Sequence, residues 1–198
     1  MDSSIASGTL FPIDTLPEGL LYHPDFLSEA EEAHLVRIFR ELPFQPFDFH
    51  GYTAKRRVLE FGFEYDFTSR KATPTQSFPE FLSSVRERAA RFAGVSAAEL
   101  VEGMVTEYSP GAPIGWHRDA PQFGTVIGIS LASTSRMRFK PYKAEGKPVA
   151  LTLEPRSIYV MRGPSRWKFQ HSIPPVKELR YSITFRTLRG REKETEAA

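Results

Sequence analysis

From Leu100 onward the chain is built from short β-type runs separated by turn residues, and this pattern constrains its fold more than any other feature. The runs are Val101 to Tyr108, Thr125 to Leu131, Arg136 to Phe139, Val149 to Leu153, Ile158 to Met161 and Tyr181 to Thr187. They are rich in β-branched and aromatic residues, with Gly, Pro, Ser and Asp in the gaps. Strands this short cannot bury an apolar face alone, so they must pair into an antiparallel sandwich or a jelly-roll barrel. The last run is the clearest. Arg180, Ser182, Thr184 and Arg186 alternate with Tyr181, Ile183 and Phe185, which gives a strand with one polar and one apolar face.

The N-terminal half has a different texture. Ser28-Glu29-Ala30-Glu31 has capping-box spacing ahead of Leu35, Ile38, Phe39 and Leu42, which predicts a helix from about residue 29 to 42, stopped by Pro43 and Pro46. Phe81, Leu82, Val85, Ala89 and Phe92 predict a second helix from Pro79 to about Phe92, capped by Ser77 and ended at Gly94. Ser96 with Glu99 starts one further turn. Residues 1–18 and the charged segment 190–198 read as flexible ends. At 198 residues the remainder, 19–189, suits one domain. Two helices would support a β-barrel whose mouth holds the site.

Composition narrows the class. With 40% hydrophobic and 25% charged residues the chain reads as an ordinary globular protein. No apolar stretch reaches the roughly 20 residues needed to span a bilayer, and the first residues lack a secretory signal pattern. A cytoplasmic monomer with no membrane partner is expected. The absence of cysteine excludes disulfides and thiolate metal sites, leaving histidine and carboxylate as ligands for a transition metal. Charge is unevenly spread. Ser130 to Arg191 carries 14 Lys or Arg against 3 acidic residues, whereas residues 1–129 carry 11 against 18. So basic a half suggests a polyanionic partner, nucleic acid first.

His117 and Asp119 are two apart, so in an extended segment both side chains lie on one face, and His171 supplies a second imidazole. Two imidazoles and one carboxylate form the facial ligand set of non-haem iron(II) oxygenases. The arginines that end the polar face of the last strand are about 20 Å apart along the backbone at roughly 3.3 Å per residue. Their long side chains could lean together to grip a short diacid, because a guanidinium fork meets a carboxylate bidentately.

These residues resemble the AlkB-like iron(II)/2-oxoglutarate dioxygenases. The resemblance rests on His117-x-Asp119, on His171, on the Arg180 to Arg186 spacing, and on Tyr108-Ser109-Pro110-Gly111-Ala112 just before the metal motif. It covers residues 100 to 188 closely and the N-terminal half more loosely. It implies an α+β protein with a jelly-roll (double-stranded β-helix) core and supporting N-terminal helices. It also implies Fe(II) held by His117, Asp119 and His171 as the catalytic centre, 2-oxoglutarate as cosubstrate, and O2. Arg180 with Tyr108 would hold the distant carboxylate of 2-oxoglutarate, and Arg186 would lie near its chelating carboxylate. Thr106 and Ser182 stand where the family often has asparagine, and each keeps a hydroxyl able to hydrogen-bond. Pro121 replaces an acidic residue that in many members approaches the target base, so base choice does not carry over.

Residues 52–68 resemble the family's nucleotide-recognition segment. Phe61, Phe63, Tyr65 and Phe67 fall at alternate positions there, and aromatic faces can stack on an extruded base. The expected substrate contacts are Arg57, Phe61, Tyr65, Trp116 and Arg138, with Trp167 expected to pack. The implied activity is oxidative demethylation of alkylated nucleobases in single-stranded DNA or RNA, as in repair of alkylation damage. The alternatives are a tRNA-modifying hydroxylase, a protein demethylase, and a non-catalytic barrel that binds metal or nucleic acid.

Overall fold

The computed structural model describes residues 16–49, 52–66 and 71–189. Two antiparallel sheets make up most of it. The larger sheet runs β1 (Leu20–His23), β10 (Ile158–Met161), β7 (Phe123–Leu131), β12 (Arg180–Leu188), β5 (Leu100–Tyr108), β3 (Tyr52–Asp66) and β2 (Gln45–Phe49), with β4 (Lys71–Pro74) paired to the far end of β3. The smaller runs β6 (Ile114–His117), β11 (Phe169–Ile173), β8 (Ser135–Pro141) and β9 (Val149–Leu153). Most neighbours are distant in sequence, so β12 is held between β5 and β7, and β11 between β6 and β8.

The larger sheet is covered on one face by α1 (Glu29–Phe39) and α2 (Glu80–Ala93). Leu35 and Phe39 of α1 and Leu82, Val85 and Ala89 of α2 pack with Ile127, Ile129, Ile183 and Phe185 in one buried cluster. The apolar face of the arginine strand is therefore spent under the helices, where Tyr181 meets Phe39 at 5.6 Å between ring centroids. Its polar face looks the other way, toward the smaller sheet. A second cluster fills the space between the sheets: Val126 and Met161 from the larger, with Met137, Phe139, Leu151 and Leu153 from the smaller.

Both helices begin and end for local reasons. Ser28 and Glu31 form the expected reciprocal capping box, but α1 stops at Phe39, before the prolines, with Arg40 as its C-cap. The N-cap of α2 is Pro79 with no side-chain hydrogen bond, so Ser77 does not cap it as expected. Pro79 has no N–H to orphan and its fixed φ leads into the helix. Gly94 closes α2 in the left-handed conformation at φ 70°. Expected strand positions hold for β5, β7, β8, β9, β10 and β12, and the structure adds strands β1, β2, β4 and β11, with β6 in the segment expected to be extended at His117. Of the segments expected to be flexible, 1–15 and 190–198 lie outside the described residues. No helix among the described residues is long and apolar enough to cross a membrane.

Candidate metal and cosubstrate site

His117 on β6 and His171 on β11 are register partners in the smaller sheet, and their rings stand 4.2 Å apart between centroids. Asp119 follows two residues after His117. The ligand atoms of these three residues all lie within 4.8 Å of one another. Arg186 reaches across from β12 in the facing sheet, donating to Asp119 Oδ1 from Nε at 3.0 Å and from Nη2 at 2.8 Å. Asp119 Oδ2 is buried, accepts no hydrogen bond and lies 3.5 Å from His171 Nε2. His117 Nδ1 is 2.9 Å from the Gly115 carbonyl; with the proton on that nitrogen, Nε2 keeps its lone pair for a metal.

The charges suit a cation. Burial and the neighbouring His117 push the His171 imidazole down to about 3, and burial lowers His117 as well, so both rings are neutral at ordinary pH. Burial alone would raise the Asp119 carboxyl, but Arg186, His171 and Arg166 outweigh it and hold it well below the usual carboxylate range. Two neutral imidazoles and an ionised carboxylate with a free oxygen are the protonation states that metal binding demands. An orphaned buried oxygen costs about 1–3 kcal/mol, a penalty that a bound divalent ion removes. The donor set fits Fe(II).

Two further residues hold Asp119 in place, and sequence reasoning missed both. Glu102 on β5, 1% exposed, accepts from Arg186 Nη1, so a single guanidinium bridges two carboxylates. Burial, only partly offset by Arg186, pushes the Glu102 carboxyl up to about 7. Arg166 lies in the short helix α3 (Pro164–Trp167) and is itself buried. Its guanidinium is within hydrogen-bond distance of the Gly124, Asp119, Ala120 and Phe123 carbonyls, at 3.0, 3.3, 2.8 and 2.9 Å, which clamps the loop that carries the metal ligand. Alternation along β5 put Glu102 on the same face as Thr106 and Tyr108 and could have flagged it; nothing local flags Arg166.

At the other end of β12, Arg180 is 1% exposed and is the register partner of Tyr108. Its guanidinium carbon lies 4.7 Å from the Tyr108 ring centroid, its Nε donates to Ser130 Oγ at 3.1 Å, and its Nη1 has no partner. The Thr106 hydroxyl is likewise buried and unpartnered, and the Tyr108 and Ser182 hydroxyls are 3.4 Å apart. Tyr108, Thr106, Ser182, Arg180 and Ser130 thus form one inward-facing polar cluster with unsatisfied donors. Ser130 was missed, although its alternation with Ile129 and Leu131 in β7 would have placed it there.

The expected substrate contacts fare differently. Phe61 is 3% exposed and packs in the helix-covered cluster against Phe81, so it is core and cannot stack on a base. Its partner on β5 is Gly103, whose face of the sheet lies under the helices. Arg57 lies on that same outer side, donating to Glu107 at 2.9 and 2.7 Å. Trp116 and Arg138 are together, 5.1 Å from ring centroid to guanidinium carbon, but on the outward face of the smaller sheet. Neighbouring residues in a strand point to opposite faces, so Trp116 does not wall the pocket that His117 faces. Trp167 is half-buried between Arg166 and Arg189. The backbone of Tyr65 pairs with Ala72 in β4; its side chain, like Phe67, lies outside what is described.

The sequence profile of the 2OG-Fe(II) oxygenase superfamily matches residues 19–186. Mouse tRNA (carboxymethyluridine(34)-5-O)-methyltransferase ALKBH8 is 30% identical over 174 residues, 83% of this chain but 26% of that protein. The mitochondrial alpha-ketoglutarate-dependent dioxygenase alkB homolog 7 of Bos taurus is 30% identical over 164 residues, covering 81% of this chain and 70% of its own length. The chain belongs to the AlkB-like 2OG-Fe(II) oxygenases. It is a dioxygenase whose cofactors are Fe(II), 2-oxoglutarate and O2. The solved structure of OsALKBH1 superposes with a TM-score of 0.68 at 17% identity, over 85% of this chain and 96% of the other, so the two antiparallel sheets are the jelly-roll fold of the AlkB-like proteins. The chain spans only about a quarter of the length of the mouse relative.

Proposed function

We propose that this AlkB-like dioxygenase removes methyl groups from the ring nitrogens of nucleobases in single-stranded DNA or RNA, as in the repair of alkylation damage. The observation that carries the substrate class is the outward face of the smaller sheet. Trp116 is flanked there by Arg138 at 5.1 Å and Lys140 at 4.6 Å from its ring centroid, with exposed Arg136 further along β8 and exposed Arg118 over Tyr142 at 3.7 Å. β6, β8, β9 and β11 contain no acidic residue at all. A basic, aromatic and acid-free sheet face suits the phosphates and unstacked bases of a single strand.

In this reading His117, Asp119 and His171 hold Fe(II). Arg180, with the hydroxyls of Tyr108, Thr106, Ser182 and Ser130, receives the distant carboxylate of 2-oxoglutarate. Arg186 keeps Asp119 oriented, and with two carboxylates already on its guanidinium it serves the ligand more than the cosubstrate. When bound, iron, 2-oxoglutarate and O2 together supply an oxidation that converts the N-methyl to N-hydroxymethyl as 2-oxoglutarate becomes succinate and CO2. The hydroxymethyl group then leaves as formaldehyde.

A second reading, hydroxylation of a tRNA uridine, is supported by the 30% identity to a protein named for tRNA carboxymethyluridine. The deciding experiment supplies Fe(II), 2-oxoglutarate and O2 with a panel of N-methylated oligonucleotides, tRNA and methylated peptide. Formaldehyde released in step with succinate from the oligonucleotides supports demethylation. A hydroxylated tRNA without formaldehyde selects the second reading, and turnover on peptide alone removes both.

A further inference from the structure

The surface cations of this protein fall into two groups by what holds them. On the helix-bearing side Arg57, Arg88 and Arg156 each pair with a carboxylate, so their charge is neutralised within the molecule. Around the smaller sheet the cations rest on aromatic rings instead. Lys140 and Arg138 lie 4.6 and 5.1 Å from the ring centroid of Trp116, and Arg118 and Lys143 lie 3.7 and 5.3 Å from that of Tyr142. Arg189 lies 4.8 Å from that of Trp167. None of these five cations has a carboxylate partner among the described residues.

A ring and a carboxylate do different things to a cation. Both take a long side chain out of free rotation, but the ring attracts the charge without cancelling it and leaves the N–H donors free for an anion. Part of the ordering cost that an incoming anion would meet is therefore met already in the free protein. The three rings are also linked to one another. Arg118 follows Trp116 by two residues, covers Tyr142, and has Nη1 3.4 Å from the Trp167 carbonyl. Tyr142 follows Lys140 by two residues, and the Arg189 N–H donates to the Gln122 carbonyl at 2.7 Å. The series thus runs from the outward face of the smaller sheet to the 119–124 loop, which carries Asp119.

We infer that this track, from Trp116 through Tyr142 to Trp167, is an exosite for the phosphates of a single strand outside the target nucleotide, bringing the strand to the metal loop without touching the reacting base. The inference rests on the reading of nucleic acid as substrate and adds where the rest of the strand is held. A phosphate backbone presents an anion at every residue, which suits a linear run of unneutralised cations on strands with no acidic residue in β6, β8 or β11. Trp167 then does more than pack, because it pins Arg189 at the end of the track.

Anisotropy titration of a labelled, unmodified oligothymidylate over a series of salt concentrations tests the exosite apart from turnover. For the native protein log K should fall with log salt at a slope of about −3.5 or steeper, at roughly 0.7 for each of five neutralised phosphates. Arg118→Gln and Arg189→Gln should each make the slope shallower by about 0.7, and Arg118→Lys should restore it. Trp116→Leu, Tyr142→Leu and Trp167→Leu keep every charge, so the slope should hold while affinity falls about two- to fivefold, the scale of an exposed cation–π contact. If the native protein binds with a steep slope that Arg118→Gln and Arg189→Gln leave as it was, the strand is held elsewhere and the inference is wrong, while nucleic acid stands as the substrate class. A flat native slope removes both. Capture by phosphatidylserine vesicles with no binding of the oligonucleotide would overturn the inference in favour of a membrane surface.

Discussion

At the scale of single residues, the two oxygens of Asp119 have separate duties. Oδ1 is occupied by Arg186, and Oδ2 is left free beside His171. Asp119→Ala, His117→Ala and His171→Ala should each abolish stoichiometric Co(II) binding and turnover, because two ligands no longer make a facial site. Binding of an unmodified oligonucleotide should persist, since the basic face lies on the other side of the smaller sheet. Arg180 occupies a different position in the chemistry. Its unpartnered Nη1 awaits an acceptor, so Arg180→Ala should raise the KM for 2-oxoglutarate by tenfold or more at roughly 1.5–3 kcal/mol for a charge-assisted pair. Arg180→Lys should recover only part, because an ammonium cannot reproduce the planar fork. Equal KM values for native and Ala proteins would refute the assignment.

At the scale of elements, β12 shows how one alternation serves two purposes. Ile183 is fully buried beneath the helices, while Ser182, next to it, faces the site. Ile183→Ala should cost about 2–5 kcal/mol of unfolding free energy, the range for a large-to-small change in a packed core. Its KM for 2-oxoglutarate should change little. Ser182→Ala should do the reverse, and denaturant titration beside initial-rate kinetics separates the two. The α3 clamp gives a third test. Replacing Arg166 by Met strips the donor from four carbonyls of the 119–124 loop, so metal should dissociate about tenfold faster, as when a group that orients a metal ligand is lost. Unchanged dissociation in a chelator chase would show that the loop holds itself.

For the whole molecule, buried groups make the stability of the metal-free protein depend on pH in opposing ways. His171 is pushed down from 6.5 to about 3, so between those values the unfolded chain binds a proton that the native state does not, and stability falls as pH falls. Glu102 is pushed up from 4.5 to about 7, so between those values the native state keeps a proton that the unfolded chain has lost, and stability falls as pH rises. The windows overlap between 4.5 and 6.5, where His117, also shifted down, tips the balance toward loss on acidification. Tm of the metal-free protein should therefore decline gently over that interval and steeply below it. Glu102→Gln removes the opposing carboxyl and should steepen the decline between 6.5 and 4.5; parallel Tm curves for the two proteins would contradict the assignment. The outward basic face predicts a further property. Oligonucleotide affinity should fall steeply with added salt, and Arg136, Arg138 or Lys140 replaced by Ala should weaken binding similarly for all sequences. A salt-independent affinity would remove nucleic acid as the substrate class.

The sequence by itself determined whatever depends on period and spacing. The alternation of Arg180 to Arg186 defined a two-faced strand, the capping box at Ser28 started α1, and His117-x-Asp119 with His171 announced a metal site in a chain without cysteine. Each is written within a few residues or in residue types that only a few chemistries use. What lay beyond reach depends on which strands become neighbours. Phe61 and Tyr65 belong to one alternating face on paper, yet only pairing with β5 decides that Phe61 turns to the helices. Trp116 stands beside a ligand in sequence and is expected to contact substrate, yet pairing of β6 with β11 turns His117 inward and Trp116 out. Glu102, Ser130 and Arg166 enter the site from three separate segments, because the tertiary fold brings together residues far apart along the chain. A strand's own residues set its period, but its partners in the sheet decide which side of that period becomes the active site.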